Sequence, residues 1–184
     1  MWVTTPRRRT MAIETDAEFS AMYRAHYADV LAFARRRTVQ ADDVVGETFL
    51  AAWRRRRDLP PDPRPWLFRT ARNLMLNVDR SARRQRAVAV RVAEQDQGDG
   101  YEPMLTAEAR MDLVKAWRSL STQDQELLAL HAWEGLSDKE AATVLGCTRA
   151  AFSMRLSRAK RRLAKHVGPV SDLPIAFANL NGAS

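Results

Sequence analysis

Apolar residues recur along this chain at spacings of three and four, the period of helices with one buried face. Phe152, Leu156, Ala159 and Leu163 stand four, three and four apart, and so do Leu67, Ala71, Leu74 and Val78. Further upstream, Phe19, Met22, Tyr23, Tyr27, Val30, Leu31 and Ala34 fall on one side of a helix. Thr15 followed by Glu18 makes a capping box that opens this first helix, which is expected to run to about Arg37. A second helix is expected from Ala41 to about Arg57, with Val45, Phe49, Ala52 and Trp53 inward. Pro60, Pro61, Pro63 and Pro65 then interrupt helix and stiffen the connection. Pro65 suits the first turn of a third helix, which ends in the arginine-rich DRSARRQR.

Between about Arg86 and Ala107 the period is lost. EQDQGDGYEP is polar and glycine-bearing, and reads as a linker. Helical spacing resumes with Leu113, Trp117 and Leu120, and Ser121 caps the following QDQELLALHAWEG. No segment alternates as a strand does. The pattern predicts an all-α chain of two small helical domains joined by a flexible linker. The boundaries are a disordered N-terminus over 1–14, a first domain over 15–86, a linker over 87–107, a second domain over 108–167 and a tail over 168–184. Met11 is a second candidate start.

The stretch from Leu136 to His166 is the most specific. Ser137 and Glu140 form a capping box, Gly146 supplies a turn, and Thr148 caps a second, basic helix. This is how a helix-turn-helix presents a reading helix to the DNA major groove. With the 152/156/159/163 stripe inward, about 100° per residue turns Met154, Ser157, Arg158, Arg161 and Lys165 outward. Ser153 and Arg149 lie to the side. The N-terminal part of such a helix meets base edges, so Arg149, Ser153, Met154, Ser157 and Arg158 are candidate readers. The later cations suit phosphates, although a solvated basic face would have the same composition.

Charge agrees with a polyanionic partner: the 184 residues carry a net +8 and a pI near 10.5. Arginine excess suits bidentate phosphate and guanine contacts, and equally suits a GC-rich genome. No apolar run approaches the roughly 20 residues of a spanning helix, and the N-terminus does not read as a signal peptide. A single cysteine, Cys147, excludes an internal disulfide and fits a reducing cytoplasm.

Against this basic background Asp42, Asp43 and Glu47 open the second helix. They complement its dipole, or meet a basic protein partner. Trp66 and Phe68 beside arginines suit stacking on single-stranded nucleic acid, or a place in the core. The Asn77 amide can pair with a base edge or cap a helix end. His26, His131 and His166 are scattered, no cysteine or acid stands at metal-ligand spacing, and no phosphate-cradling glycine loop is present. No cofactor, metal or catalytic function is expected.

Three stretches, in order, resemble the extracytoplasmic-function (ECF) sigma factors of the sigma-70 family. FSAMYRAHYADVLAFARRR and ADDVVGETFLAAWRR are similar to the first helices of the family's second-region domain. DPRPWLFRTARNLMLNVDRSARR is similar to its promoter-melting segment, with the P-W-L-x-x-x-A-R-N signature intact. LSTQDQELLALHAWEGLSDKEAATVLGCTRAAFSMRLSRAKRRL is similar to the fourth-region domain. The resemblance implies a promoter-specificity subunit whose partners are core RNA polymerase and promoter DNA. It implies polymerase docking through Asp42, Asp43, Glu47 and Phe49. It places Trp66, Asn77, Arg80, Arg83 and Arg84 at the −10 element, and Arg149, Ser153, Met154, Ser157 and Arg158 at the −35 element. Members are commonly held inactive by a partner anti-sigma factor. The chain departs from the family at Ser153 and Met154, where many members have Lys or Arg followed by Ser. The alternative is a helix-turn-helix repressor or activator that does not bind polymerase. Such proteins usually dimerise, and the chain offers no evident symmetric dimer helix.

Overall fold

The computed structural model describes residues 13–81 and 107–167, with side chains over 13–76 and 111–165. The expected linker and tail, and most of the expected N-terminal extension, lie outside the described residues. The chain divides into two units, residues 1–83 and 84–184. The described residues carry α-helices and no β-strand, so the all-α expectation holds.

The first unit holds α1 (Asp16–Arg35), α2 (Ala41–Arg54), a 3-10 turn (Arg56–Asp58) and α3 (Arg64–Ser81). The capping box at Thr15 is formed: the Glu18 N–H donates to Thr15 Oγ1 at 3.2 Å, and Glu18 Oε2 accepts from the Thr15 N–H at 3.0 Å. Hydrogen bonds from the Thr15 and Glu14 backbone hold the Glu18 carboxyl below its ordinary pKa. Ile13, expected in a disordered extension, is instead buried and donates its N–H to the Arg56 carbonyl at 2.9 Å. That bond ties the entry of α1 to the turn after α2.

The core of this unit is Val30, Phe33 and Ala34 of α1, Val45, Phe49 and Ala52 of α2, and Leu67, Phe68 and Ala71 of α3. The Phe33 and Phe68 rings meet with centroids 4.8 Å apart. Phe68 is therefore a core residue, and the stacking reading does not hold for it. α1 ends two residues before the expected Arg37, whose guanidinium folds back over the Phe33 ring at 3.8 Å. α2 ends at Arg54 rather than Arg57, because the chain tightens into the 3-10 turn that carries Leu59 into the core. Trp53 is only half-buried and meets Phe19 edge-on at 4.8 Å.

The second unit holds α4 (Ala107–Ser119), α5 (Thr122–Ala132), α6 (Asp138–Leu145) and α7 (Arg149–Val167). Phe152, Leu156, Ala159 and Leu163 are all buried, and they pack with Trp117, Leu128, Leu130, Leu136, Ala142 and Val144. The Ser137–Glu140 capping box is present. Gly146 sits at φ 70, where a Cβ is strained, and reverses the chain between α6 and α7. Thr148 Oγ1 accepts from the Ala151 N–H at 3.2 Å, capping α7 as expected. Polar ties cross this core. Gln125 Nε2 donates to the Trp117 carbonyl at 2.8 Å, and Arg162 Nη1 donates to both Asp124 oxygens at 2.8 and 2.7 Å.

Gly46 stands exposed in the middle of α2, and a Cβ built there meets nothing within 4 Å. Glycine inside a helix costs about 0.5–1 kcal/mol relative to alanine. Gly46→Ala is expected to raise the stability of the first unit by that amount in urea unfolding. An unchanged or lower midpoint would contradict the open geometry.

Candidate nucleic-acid and partner interfaces

Burial of its apolar stripe leaves α7 with an outer face of Met154, Ser157, Arg158, Arg161 and Lys165, with Arg149 to the side, all exposed. Arg158, Arg161, Arg162 and Lys165 line one shallow, open concavity along the later turns. Such clustered cations are suited to a phosphate backbone. Of the expected readers, Ser153 is placed differently. It is half-buried, its hydroxyl hydrogen-bonds Asp138 Oδ2, and it contacts the Arg149 carbonyl at 3.1 Å. Its hydroxyl therefore joins α7 to the first residue of α6.

About two turns further on, Lys160 Nζ lies 3.5 Å from His131 Nε2 on α5. Asp138, Lys160 and His131 make a polar node linking α5, α6 and α7. Burial, and then the Lys160 ammonium, push the His131 pKa down, and Asp138 opposes the shift. Burial also lowers Lys160, again opposed by Asp138. Sequence reading missed this node because its members lie far apart in the chain. The available signal was Asp138 at the start of α6, which helix-dipole complementarity explains equally well.

On the first unit, Asp42, Asp43 and Glu47 are exposed along one side of α2. Arg35 approaches Asp42 only at 4.0 Å, with both side chains open to solvent. Phe49, expected on the docking surface, is 4% exposed. Its ring backs Tyr23 at 4.6 Å and Tyr27 at 6.4 Å. The apolar side chains that do reach solvent here are Tyr23 and Leu50, at 37% and 39% exposure. Leu50 was legible in sequence: it stands one helical turn after Glu47 and off the inward stripe.

On α3, Trp66 is half-buried and Thr70 Oγ1 donates to its carbonyl at 2.9 Å. Arg64 Nε bonds Asp29 Oδ2 at 2.9 Å and fixes the start of α3 against α1. Asn77 and Arg80 lie on the helical backbone, beyond the described side chains. α3 runs four residues past Asn77, so that residue does not cap its end. Arg83 and Arg84 lie outside the described residues. Among the described residues, no group of three or more His, Cys, Asp or Glu could hold a metal ion. None of their helices is long and apolar enough to cross a membrane.

Known proteins give this arrangement a context. Family models for sigma-70 region 2 and sigma-70 region 4 match residues 22–87 and 110–163. The chain is 35% identical over 135 residues to the RNA polymerase sigma factor NccH of Alcaligenes xylosoxydans xylosoxydans, covering 66% of this chain and 70% of that one. It is 32% identical over 153 residues to the ECF RNA polymerase sigma factor SigL of Mycobacterium tuberculosis, covering 78% and 85%. In structure it is similar to CnrH, solved in complex with the cytosolic domain of CnrY. That match has a TM-score of 0.58 and 28% identity, and covers 84% of this chain and 90% of that one. The chain belongs to the sigma-70 family. Within it, the chain is an alternative sigma factor of the ECF group. The reading as a repressor or activator that does not bind polymerase is not favoured.

The histidine in the node carries a pH dependence. His131 has a folded pKa below its ordinary 6.5, so the unfolded chain takes up the proton first as pH falls. The neutral ring is favoured by folding, and stability is lost as pH drops from the unfolded value through the folded one. Acidification from about pH 7.5 to about pH 5 is expected to lower the unfolding midpoint of the second unit. His131→Asn should flatten that decline, and an equal decline in the variant would exclude His131 as its source.

Proposed function

We propose that this sigma factor grips polymerase with its first unit and the promoter with both. The α1–α2 face, with Asp42, Asp43 and Glu47 around exposed Tyr23 and Leu50, docks on a basic helical surface of core RNA polymerase. Phe49 acts from beneath, by holding Tyr23 and Tyr27 in place. On α7, Arg149, Met154, Ser157 and Arg158 meet base edges of the −35 element, Ser153 sets the helix against α6, and Arg161 and Lys165 hold phosphates. Trp66, Asn77, Arg80, Arg83 and Arg84 act at the −10 element, where flipping a base costs a few kcal/mol of unstacking. The −10 role rests on the resemblance in sequence. The observation that carries the whole reading is an acidic, partly apolar face on one unit and a cationic reading helix on the other.

In this reading the chain performs no bond chemistry. Polymerase supplies the metal ions, and the sigma factor supplies position. It works where polymerase and chromosome are, in the cytoplasm. A partner anti-sigma factor belongs to this reading, and the structure of the relative CnrH with the cytosolic domain of CnrY supports it.

The test is transcription. The purified chain, core polymerase and genomic DNA are mixed, and run-off transcripts are sequenced. New start sites preceded by one shared two-part sequence are expected, and their absence would refute promoter recognition. Asp43→Arg places like charge against a basic partner, a change that costs several kcal/mol at an interface. It is expected to weaken polymerase binding by about tenfold or more while the helical circular dichroism is kept; unchanged binding in a pull-down would remove Asp43 from the docking face. Arg158→Ala should lose about 1–3 kcal/mol of base discrimination while polymerase affinity is retained. Unaltered promoter choice would show that Arg158 reads no base.

A further inference from the structure

The side chain at the centre of the reading face is not a hydrogen-bonding one. Met154 is 56% exposed, on the sixth residue of α7 and opposite the buried stripe. Among the described residues of the second unit, the large apolar side chains left exposed are Met111 and Met154. Met111 lies on α4, outside the helix-turn-helix itself. On α7 the flanking Ser153 hydroxyl is engaged by Asp138 and the Arg149 carbonyl. One turn further on stands Arg158, exposed and on the same side.

A thioether donates no hydrogen bond and accepts only weakly. The major-groove edges of the bases consist of hydrogen-bond donors and acceptors, with one apolar exception, the 5-methyl group of thymine. Pressing Met154 against a donor or acceptor would strip that group of water with no replacement bond. Against a methyl group, both partners leave water favourably. The unbranched, flexible side chain can adjust to meet it. Alanine or serine at this position would be too short to exclude water from the contact.

We propose that Met154 is a specificity-determining residue that packs on the 5-methyl group of one thymine in the upstream promoter element. This inference rests on the promoter-reading role proposed for α7 and adds the base and the group that is read. Removing one methyl from an apolar contact is worth about fourfold in affinity.

The experiment uses full-length chain bound to core polymerase. Duplexes randomised across the upstream element are selected for binding, and the winners are sequenced. Each thymine of the enriched element is then replaced singly by deoxyuridine, which lacks only the methyl group. The expected result is one position where deoxyuridine weakens binding about fourfold. In Met154→Ala, thymine and deoxyuridine should bind equally at that position. If an element is enriched but no thymine is distinguished from deoxyuridine, or if Met154→Ala keeps the distinction, the methyl contact is overturned and promoter reading stands. If no element is enriched, promoter reading and the methyl contact fall together.

Discussion

The rotation of α7 about its own axis is set by Phe152, Leu156, Ala159 and Leu163, each buried to within a few per cent. Everything the helix can do outside follows from that. A slip of one residue would turn it by about 100°. Ser153, Ser157 and Lys160 would then face the interior, and a buried ammonium without a partner is very costly. Burying a phenylalanine or leucine side chain is worth about 1.5–3 kcal/mol, so the correct register is favoured by several such terms at once. The same constraint that makes a core thus chooses which residues meet a ligand. Gly146 at φ 70 and the caps at Ser137 and Thr148 fix where α7 begins, which sets the position of the outer face along its axis.

Both units hold their helices with ring contacts and polar ties, in different proportion. The first sets Phe33 against Phe68 and Phe49 against Tyr23 and Tyr27, beside the Arg64–Asp29 pair. The second adds polar ties to its apolar core: Asp124 with Arg162, Gln125 with the Trp117 carbonyl, and Ser153 with Asp138. Directional bonds of this kind suit a unit whose outer face must be held in one orientation, because they penalise small rotations that apolar packing tolerates. Aromatic backing suits a face that presents a broad surface to another protein. Tyr23 is exposed yet supported from below by Phe49.

Much of this could be read from the chain. The capping boxes at Thr15 and Ser137, the turn at Gly146 and the α7 stripe are local or periodic features, and each appears where spacing put it. Contacts between distant residues were not legible. Phe33 gave no warning that it would meet Phe68, and Ser153 looked like any side residue of a reading helix until Asp138 was found beside it. Phe49 shows the limit of a family pattern. The pattern implied a docking role for it, and the structure shows a ring 4% exposed beneath Tyr23. Helix ends were misjudged where tertiary demand overrode helix-favouring sequence, as when burial of Leu59 ended α2 early.

The Asp124–Arg162 pair has a consequence for how the protein holds DNA in salt. Arg162 donates two hydrogen bonds to a buried carboxylate, so part of the positive charge on the rim of α7 is already neutralised from within. Each phosphate neutralised by a protein cation releases counterions and adds about 0.9 to the slope of log affinity against log salt. On this rim Arg161 and Lys165 would contribute, and Arg162 only weakly. The upstream grip would then lose less affinity as ionic strength rises than a count of its arginines suggests.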